Sequence, residues 1–300
     1  MIKTVGIVSL SSGIIGESFI RFETDIGVRR LREYGLNVKF MPHALMGLDY
    51  VKAHPEKRAE DLLQAFRDPD IDMILCAIGG DDTYRLLPYL FDHNELADAV
   101  TDKVFLGFSD TTINHLMLHK VGLNTFYGQA FLPDICELSP EMHPYTRKFF
   151  EELISTGTVK EITPSDVWYE ERKSFEPDQV GKTLIAHPNA GFELLQGDPV
   201  FSGKILGGCI DSMYDFFNGE RYEDMPILCE NIICSLIQRT GKDVSCFWNP
   251  AKKKLLRKSI SSCLNTLRKE ECLRRFQVYW LESLWMRLML RNIDSCWFRL

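Results

Sequence analysis

Apolar residues first gather at Val5 to Leu10, a short run that breaks into Ser11-Ser12-Gly13. A run of that length bounded by turn residues reads as a buried strand. Phe19 to Tyr34 then takes up helical spacing and stops at Gly35, and Leu36 to Phe40 reads as a second strand. Pro55 to Phe66 carries the start signal and the period of a helix. That period puts Leu62, Leu63 and Phe66 at core spacing and points Arg58, Glu60 and Asp61 outward. Ile71 to Ile78 is a third apolar strand and runs into Gly79-Gly80-Asp81-Asp82. Thr83 to Leu90 reads as helix and Val104 to Phe108 as the next strand. Ser109-Asp110-Thr111-Thr112 then caps a helix that continues to about Lys120.

Repeated strand–helix units with buried, non-alternating strands predict an α/β fold with a doubly wound parallel sheet. In such sheets the ligand site forms at the carboxyl ends of the strands. Both Gly79-Gly80-Asp81-Asp82 and Gly107-Phe108-Ser109-Asp110 lie at such ends. From Glu137 to Asp178 the chain turns polar and aromatic, as a linker would, and Gly203 to Gly208 looks like a strand entering a tight glycine turn. The expected division is an N-terminal domain at 1–136 and a linker with the start of a second domain at 137–195. A smaller mixed α/β domain then opens at 196–230, and 231–300 stands apart.

Composition excludes more than it selects. With 45% hydrophobic and 26% charged residues over 300 positions, the chain is an ordinary globular protein long enough for two domains. Its apolar N-terminal run is too short for a signal peptide, and no stretch could span a bilayer. The expectation is a cytoplasmic protein without a membrane partner. Nine cysteines occur without a C-x-x-C pair, so free thiols are expected rather than zinc or a redox pair. His115 and His119 stand four apart on one helix, the spacing of a metal face, yet no glutamate follows His115 and the zincin pattern fails. His43, His54, His93, His143 and His187 occur singly, and no metal or organic cofactor is expected. No G-x-G-x-x-G or P-loop signature marks a nucleotide-binding unit.

A serine between a strand and a helix has its hydroxyl exposed by the turn and its neighbouring amides free at the helix start. Gly107-Phe108-Ser109-Asp110-Thr111 offers that context, although Ser and Asp before a helix are also ordinary N-caps. Gly79-Gly80 could bring backbone N–H groups close to a ligand oxygen beside it, and with the Asp110 amide complete an oxyanion hole. Taken alone the glycine pair also fits a plain βα turn.

The run Ile78 to Tyr89, followed by Leu106 to Thr112, resembles the S66 serine peptidases, and within them the microcin-immunity branch more than the peptidoglycan-recycling enzymes. The strand Val5 to Leu10 with its serine loop and the segment Gly203 to Gly208 match as well, so the resemblance covers about residues 3 to 230. It implies an LD-carboxypeptidase that cleaves a terminal amide of a muropeptide or peptidyl-nucleotide and works without metal or organic cofactor. It further implies Ser109 as nucleophile and the amides of Gly80 and Asp110 as the oxyanion hole. Dimers are common among its members. The family takes its triad glutamate and histidine from the C-terminal domain.

Those two residues are absent from this chain. Up to Glu230 there are 21 Lys+Arg against 37 Asp+Glu; from Asn231 there are 14 against 5. The last 70 residues hold one glycine, one proline, no histidine and four of the five tryptophans. A basic tail ordinarily suggests nucleic acid, but the genetic code offers another account. Read one base out of register from Asn231, the codons permit Y-N-L-F-P-D-P-E-D-W-K-G, then F-L-E-P-S-E-E-K and G-V-L-V-G-K-P-M-D-E. Tryptophan has a single codon, so the Trp248–Asn249 junction must give glutamate and the Trp285–Met286 junction aspartate. These strings look like the missing C-terminal domain with its strand-end glutamate. The expectation is a single-base loss near the Glu230 codon, a second domain left incomplete or disordered after residue 230, and no nucleic-acid partner.

Overall fold

Strand ends position everything that follows in this protein. The computed structural model describes residues 1–192, 200, 204–219, 221–230, 244–249 and 276–280. Its first unit, Met1–Asn189, is built from β1 (Thr4–Val8), α1 (Arg21–Glu33), β2 (Asn37–Phe40), α2 (Leu48–Ala53) and α3 (Pro55–Arg67). β3 (Met73–Cys76), α4 (Leu87–Phe91), α5 (Glu95–Ala99), β4 (Val104–Gly107), α6 (Thr112–Lys120) and β5 (Phe126–Tyr127) follow. The five strands form one parallel sheet in the order β2-β1-β3-β4-β5. Val5 pairs with Val38 on one side and Met73 on the other, and Leu75 pairs with Leu106. β3 is buried along its whole length, as a strand covered by flanking helices must be. The expected α/β architecture is therefore observed. Thr83 to Leu86 is a tighter 3-10 turn, and the α-helix begins only at Leu87, where Pro88 needs no N–H donor.

The polar stretch after Glu137 does not leave this unit. A π-helical turn at Phe131–Ile135 leads on to α7 (Pro144–Thr156). Phe150, Leu153 and Ile154 of α7 join Val5, Leu75 and Phe131 in the same buried cluster. The Ile2 N–H donates to the Ile154 carbonyl at 2.9 Å. Arg30 of α1 donates to the carbonyls of Ile135, Glu137 and Ser139, and Arg172 pairs with Glu137. These straps carry the antiparallel hairpin of β6 (Val167–Tyr169) and β7 (Ala186–Pro188) with the unit. The composition shift at 136 thus marks an amphipathic helix and an exposed hairpin, and the unit runs on to Asn189.

Two outward assignments on α3 need correction. Arg58 and Asp61 are buried, and Leu63 is only half-buried, while Leu62 and Phe66 are in the core as expected. Hydrophobic period alone misplaces the two charges because each is matched inside. Arg58 meets Asp82 at 2.6 Å, and Asp61 meets His43 Nδ1 at 2.7 Å.

The second unit, Ala190–Leu300, contains β8 (Lys204–Cys209), α8 (Ile210–Asn218), β9 (Val244–Asn249) and β10 (Phe276–Trp280). Its three strands are parallel in the order β10-β9-β8. Gly207 and Gly208, expected in a turn, lie inside β8 with φ of 154° and 145°. After Glu230 only β9 and β10 are described. The remainder of 231–300, and with it most of the segment read as out of frame, lies outside the described residues. Among the described residues no helix is long and apolar enough to cross a membrane, and Cys76, Cys136, Cys209 and Cys229 form no disulfide.

If α7 is a core element, Phe150→Ala should cost ~3–5 kcal/mol of stability. A denaturant midpoint close to that of the unaltered chain would show that the helix is only a linker.

Candidate active site

Three loops leave the sheet at its carboxyl edge, after β1, β3 and β4, and Ser109 stands on the third. Its φ is 61°, and Asn94 is the only other described non-glycine residue with positive φ. L-residues other than Asn and Asp rarely adopt that conformation, which costs on the order of 1–2 kcal/mol. It persists here because the backbone is held from both sides. The Ser109 N–H donates to Tyr127 Oη at 3.0 Å, and the Ser109 carbonyl accepts from Thr112 Oγ1 at 2.6 Å. Thr111 Oγ1 also donates to the Phe108 carbonyl at 2.8 Å.

Asp110 does not cap the helix. Its carboxylate is 2% exposed and turns back toward the other two loops. There Oδ2 accepts from Ser11 Oγ at 2.6 Å and from the Thr83 N–H at 3.0 Å. Burial pushes its pKa up to about 6, against the two hydrogen bonds that favour the ionised form. Thr83 Oγ1 donates onward to Asn114 Oδ1 at 2.9 Å.

The two glycines are packed against this arrangement. A Cβ on Gly79 would lie 2.8 Å from Ser109 Cβ and 3.3 Å from the Asp110 nitrogen. A Cβ on Gly80 would collide with the Ser11 side chain. The structure therefore brings Ser109, Asp110 and Gly79-Gly80 together, with Ser11 beside Gly80. Next to them Arg58 Nη1 donates to Asp82 Oδ1 at 2.6 Å and to the Leu10 carbonyl at 3.1 Å.

His115 is committed elsewhere. Its Nε2 donates to the Gly107 carbonyl at 3.2 Å, which leaves Nδ1 to accept from Thr125 Oγ1 at 2.7 Å. Burial pushes its pKa down to about 4 and keeps the ring neutral. With both nitrogens used, His115 cannot form a metal face with His119. His43, His54 and His187 are paired with Asp61, Glu56 and Glu170. Among the described residues no three His, Cys, Asp or Glu side chains are grouped to hold a metal ion.

The sequence gives no local sign of Tyr127 or Arg58 in this site, and Ser11 and Thr83 stand out only as members of the matching segments. Ser11 and Asp110 are 99 positions apart, and only the neighbouring order of β1, β3 and β4 brings them together.

The model of the LD-carboxypeptidase N-terminal domain of peptidase family S66 matches residues 5–128. An MccF-like protein from Streptococcus pneumoniae, solved in complex with AMP, is 49% identical with a TM-score of 0.91 and covers 98% of this chain and 88% of its own. The chain belongs to the S66 peptidase family. The Escherichia coli microcin C7 self-immunity protein MccF is 28% identical over 173 residues, 55% of this chain and 47% of its own length. The murein tetrapeptide carboxypeptidase of Pseudomonas aeruginosa is 33% identical over 135 residues, 45% of this chain and 42% of its own. The chain thus spans about half the length of the curated S66 relatives it matches.

His115 makes stability depend on pH with a definite sign. Because its folded pKa is depressed to about 4, the unfolded chain takes up a proton first as pH falls. Stability from this group is complete above about 6.5 and is lost down to about 4, by up to ~3 kcal/mol. His115→Gln should lose less stability than the unaltered chain when urea midpoints are compared at pH 7 and pH 4.5. Equal losses would mean that the folded ring takes up its proton as readily as the unfolded chain.

Proposed function

We propose that this S66 chain is by descent a serine hydrolase of the LD-carboxypeptidase type, acting on a terminal amide through an acyl-enzyme on Ser109. The observation that carries this is the left-handed serine at the sheet edge, pressed against Gly79 and leading directly into α6. In this reading Ser109 Oγ attacks the amide carbonyl and its proton passes to a base. The Gly80 and Asp110 amides receive the developing oxyanion, where fixed donors are worth several kcal/mol. Collapse releases the protonated amine, and water then hydrolyses the ester to free the serine. The chemistry calls for neither metal nor organic cofactor.

Two substrate classes fit, a muropeptide and a peptidyl-nucleotide. The 49% identical relative solved with AMP supports the nucleotide class, and the Pseudomonas relative's name supports the murein class at 33% identity. A homodimer, as the resemblance implies, and a cytoplasmic location belong to the same proposal. A second reading is favoured by one observation: residues 188–300 contain no histidine, so they hold no candidate for the triad base. In that reading the chain is a catalytically silent product of a single-base loss near Glu230, with at most ligand-binding capacity.

Purified protein incubated with an L,D-tetrapeptide and with a peptidyl-adenylate separates these readings. The first expects amine release that falls by about 10⁴-fold or more in Ser109→Ala, and turnover indifferent to that substitution would sink it. The second expects no release from either substrate, and any Ser109-dependent turnover would sink it. Resequencing the gene through and well beyond the Glu230 codon decides the frame: an added base near Glu230 would restore the triad partners.

A further inference from the structure

We propose that the side-chain carboxylate of Asp110 is a positioning group that ties the β1 and β3 loops to the serine loop and so sets the geometry of the anion-binding amides. Its bearing on catalysis rests on the Ser109 reading; the tie itself does not.

The sheet stops short of the site. The β1–β3 ladder ends at Val8 and Cys76, with one more bond from the Ala77 N–H to the Val8 carbonyl. The β3–β4 ladder ends at Leu75 and Leu106. Beyond those pairs the strands diverge into loops, yet the glycine pair must meet the serine to within a few tenths of an ångström. A Gly79 Cβ would come within 3.0 Å of Ser109 Oγ. One oxygen of Asp110 supplies the link. It takes the Ser11 hydroxyl from the β1 loop and the Thr83 amide from the β3 loop, while its own backbone belongs to the β4 loop.

Two facts point to a task beyond simple packing. Neutral donors hold the carboxylate, because the adjacent cation Arg58 is engaged by Asp82. A buried carboxylate without a cation of its own is a costly acceptor. The carboxylate also lies within one residue of the proposed nucleophile, so any displacement of it moves the Asp110 amide as well. Ser11 is itself held on the far side, its carbonyl accepting from Arg58 Nη1 at 3.4 Å. The charged groups that act on Asp110 are Asp81 and Asp82, which both raise its pKa, while Asp82 is itself paired with Arg58.

The tie can be read without turnover, by hydrogen–deuterium exchange of the full chain across the Gly79–Thr83 peptide. Rates are corrected for the intrinsic effect of pH. In the unaltered chain exchange in this loop should quicken about tenfold between pH 7.5 and pH 5. Asp110→Asn should show the faster rate already at pH 7.5 and no pH step. Ser11→Ala removes a donor that favours the ionised carboxylate, so it should keep the step but move it to higher pH. Because it deletes one hydroxyl only, it serves if Asp110→Asn does not fold. In every variant the amides of β3 and β4 should exchange as in the unaltered chain. Loop exchange in Ser11→Ala that matches the unaltered chain at every pH would overturn the proposal. Ser109→Ala should leave the loop protected. Absent turnover with a protected loop therefore counts against the Ser109 reading and leaves the tie standing.

Discussion

The rest of the site depends on the buried ion pair between Arg58 and Asp82. A guanidinium 1% exposed would be prohibitive alone. It is tolerated because its donors meet a carboxylate and the carbonyls of Leu10 and Ser11, groups that the ends of β1 and β3 would otherwise leave unpaired. The pair thus converts two polar loops into a closed edge on which a third loop can rest. Removing either member would leave a buried charge unpaired, so the two residues stand or fall together.

On that edge the chain can hold a serine in a conformation it would not choose. Tyr127 and Thr112 grip the Ser109 backbone from either side, and the glycine at 79 leaves room for its Cβ. Neutral His115 secures the same loop from behind by joining the end of β4 to Thr125. Every one of these contacts is made by a group from a strand end or from the first turns of a helix. The parallel sheet therefore contributes position, while the chemistry is left to loop residues.

Much of this architecture was legible along the chain. The mainly apolar runs at Val5, Ile71 and Val104 pointed to the parallel strands, and the glycine and serine motifs at their ends to the site's location. Arg58 and Asp61 were not legible, since a helical period counts a charge as outward unless its partner is known. α7 was obscured by its surroundings, where Glu137, Glu141 and the polar hairpin beyond mask a sound buried face. The reach from Asp110 to Ser11 depends on strand order, which no local pattern encodes. The change of character after Glu230 is the converse case, plain in the residue types and in the codons behind them.

The left-handed backbone at Ser109 also bears on what becomes of such a chain over time. Glycine adopts that conformation without penalty, so at Ser109 replacement by glycine would relieve the strain and remove the hydroxyl in one step. Everywhere else in the core, random substitution tends to lower stability and is resisted. At 109 the folding free energy itself favours forgetting. In a copy no longer required to act, a change of this serine to glycine would meet no opposition from folding.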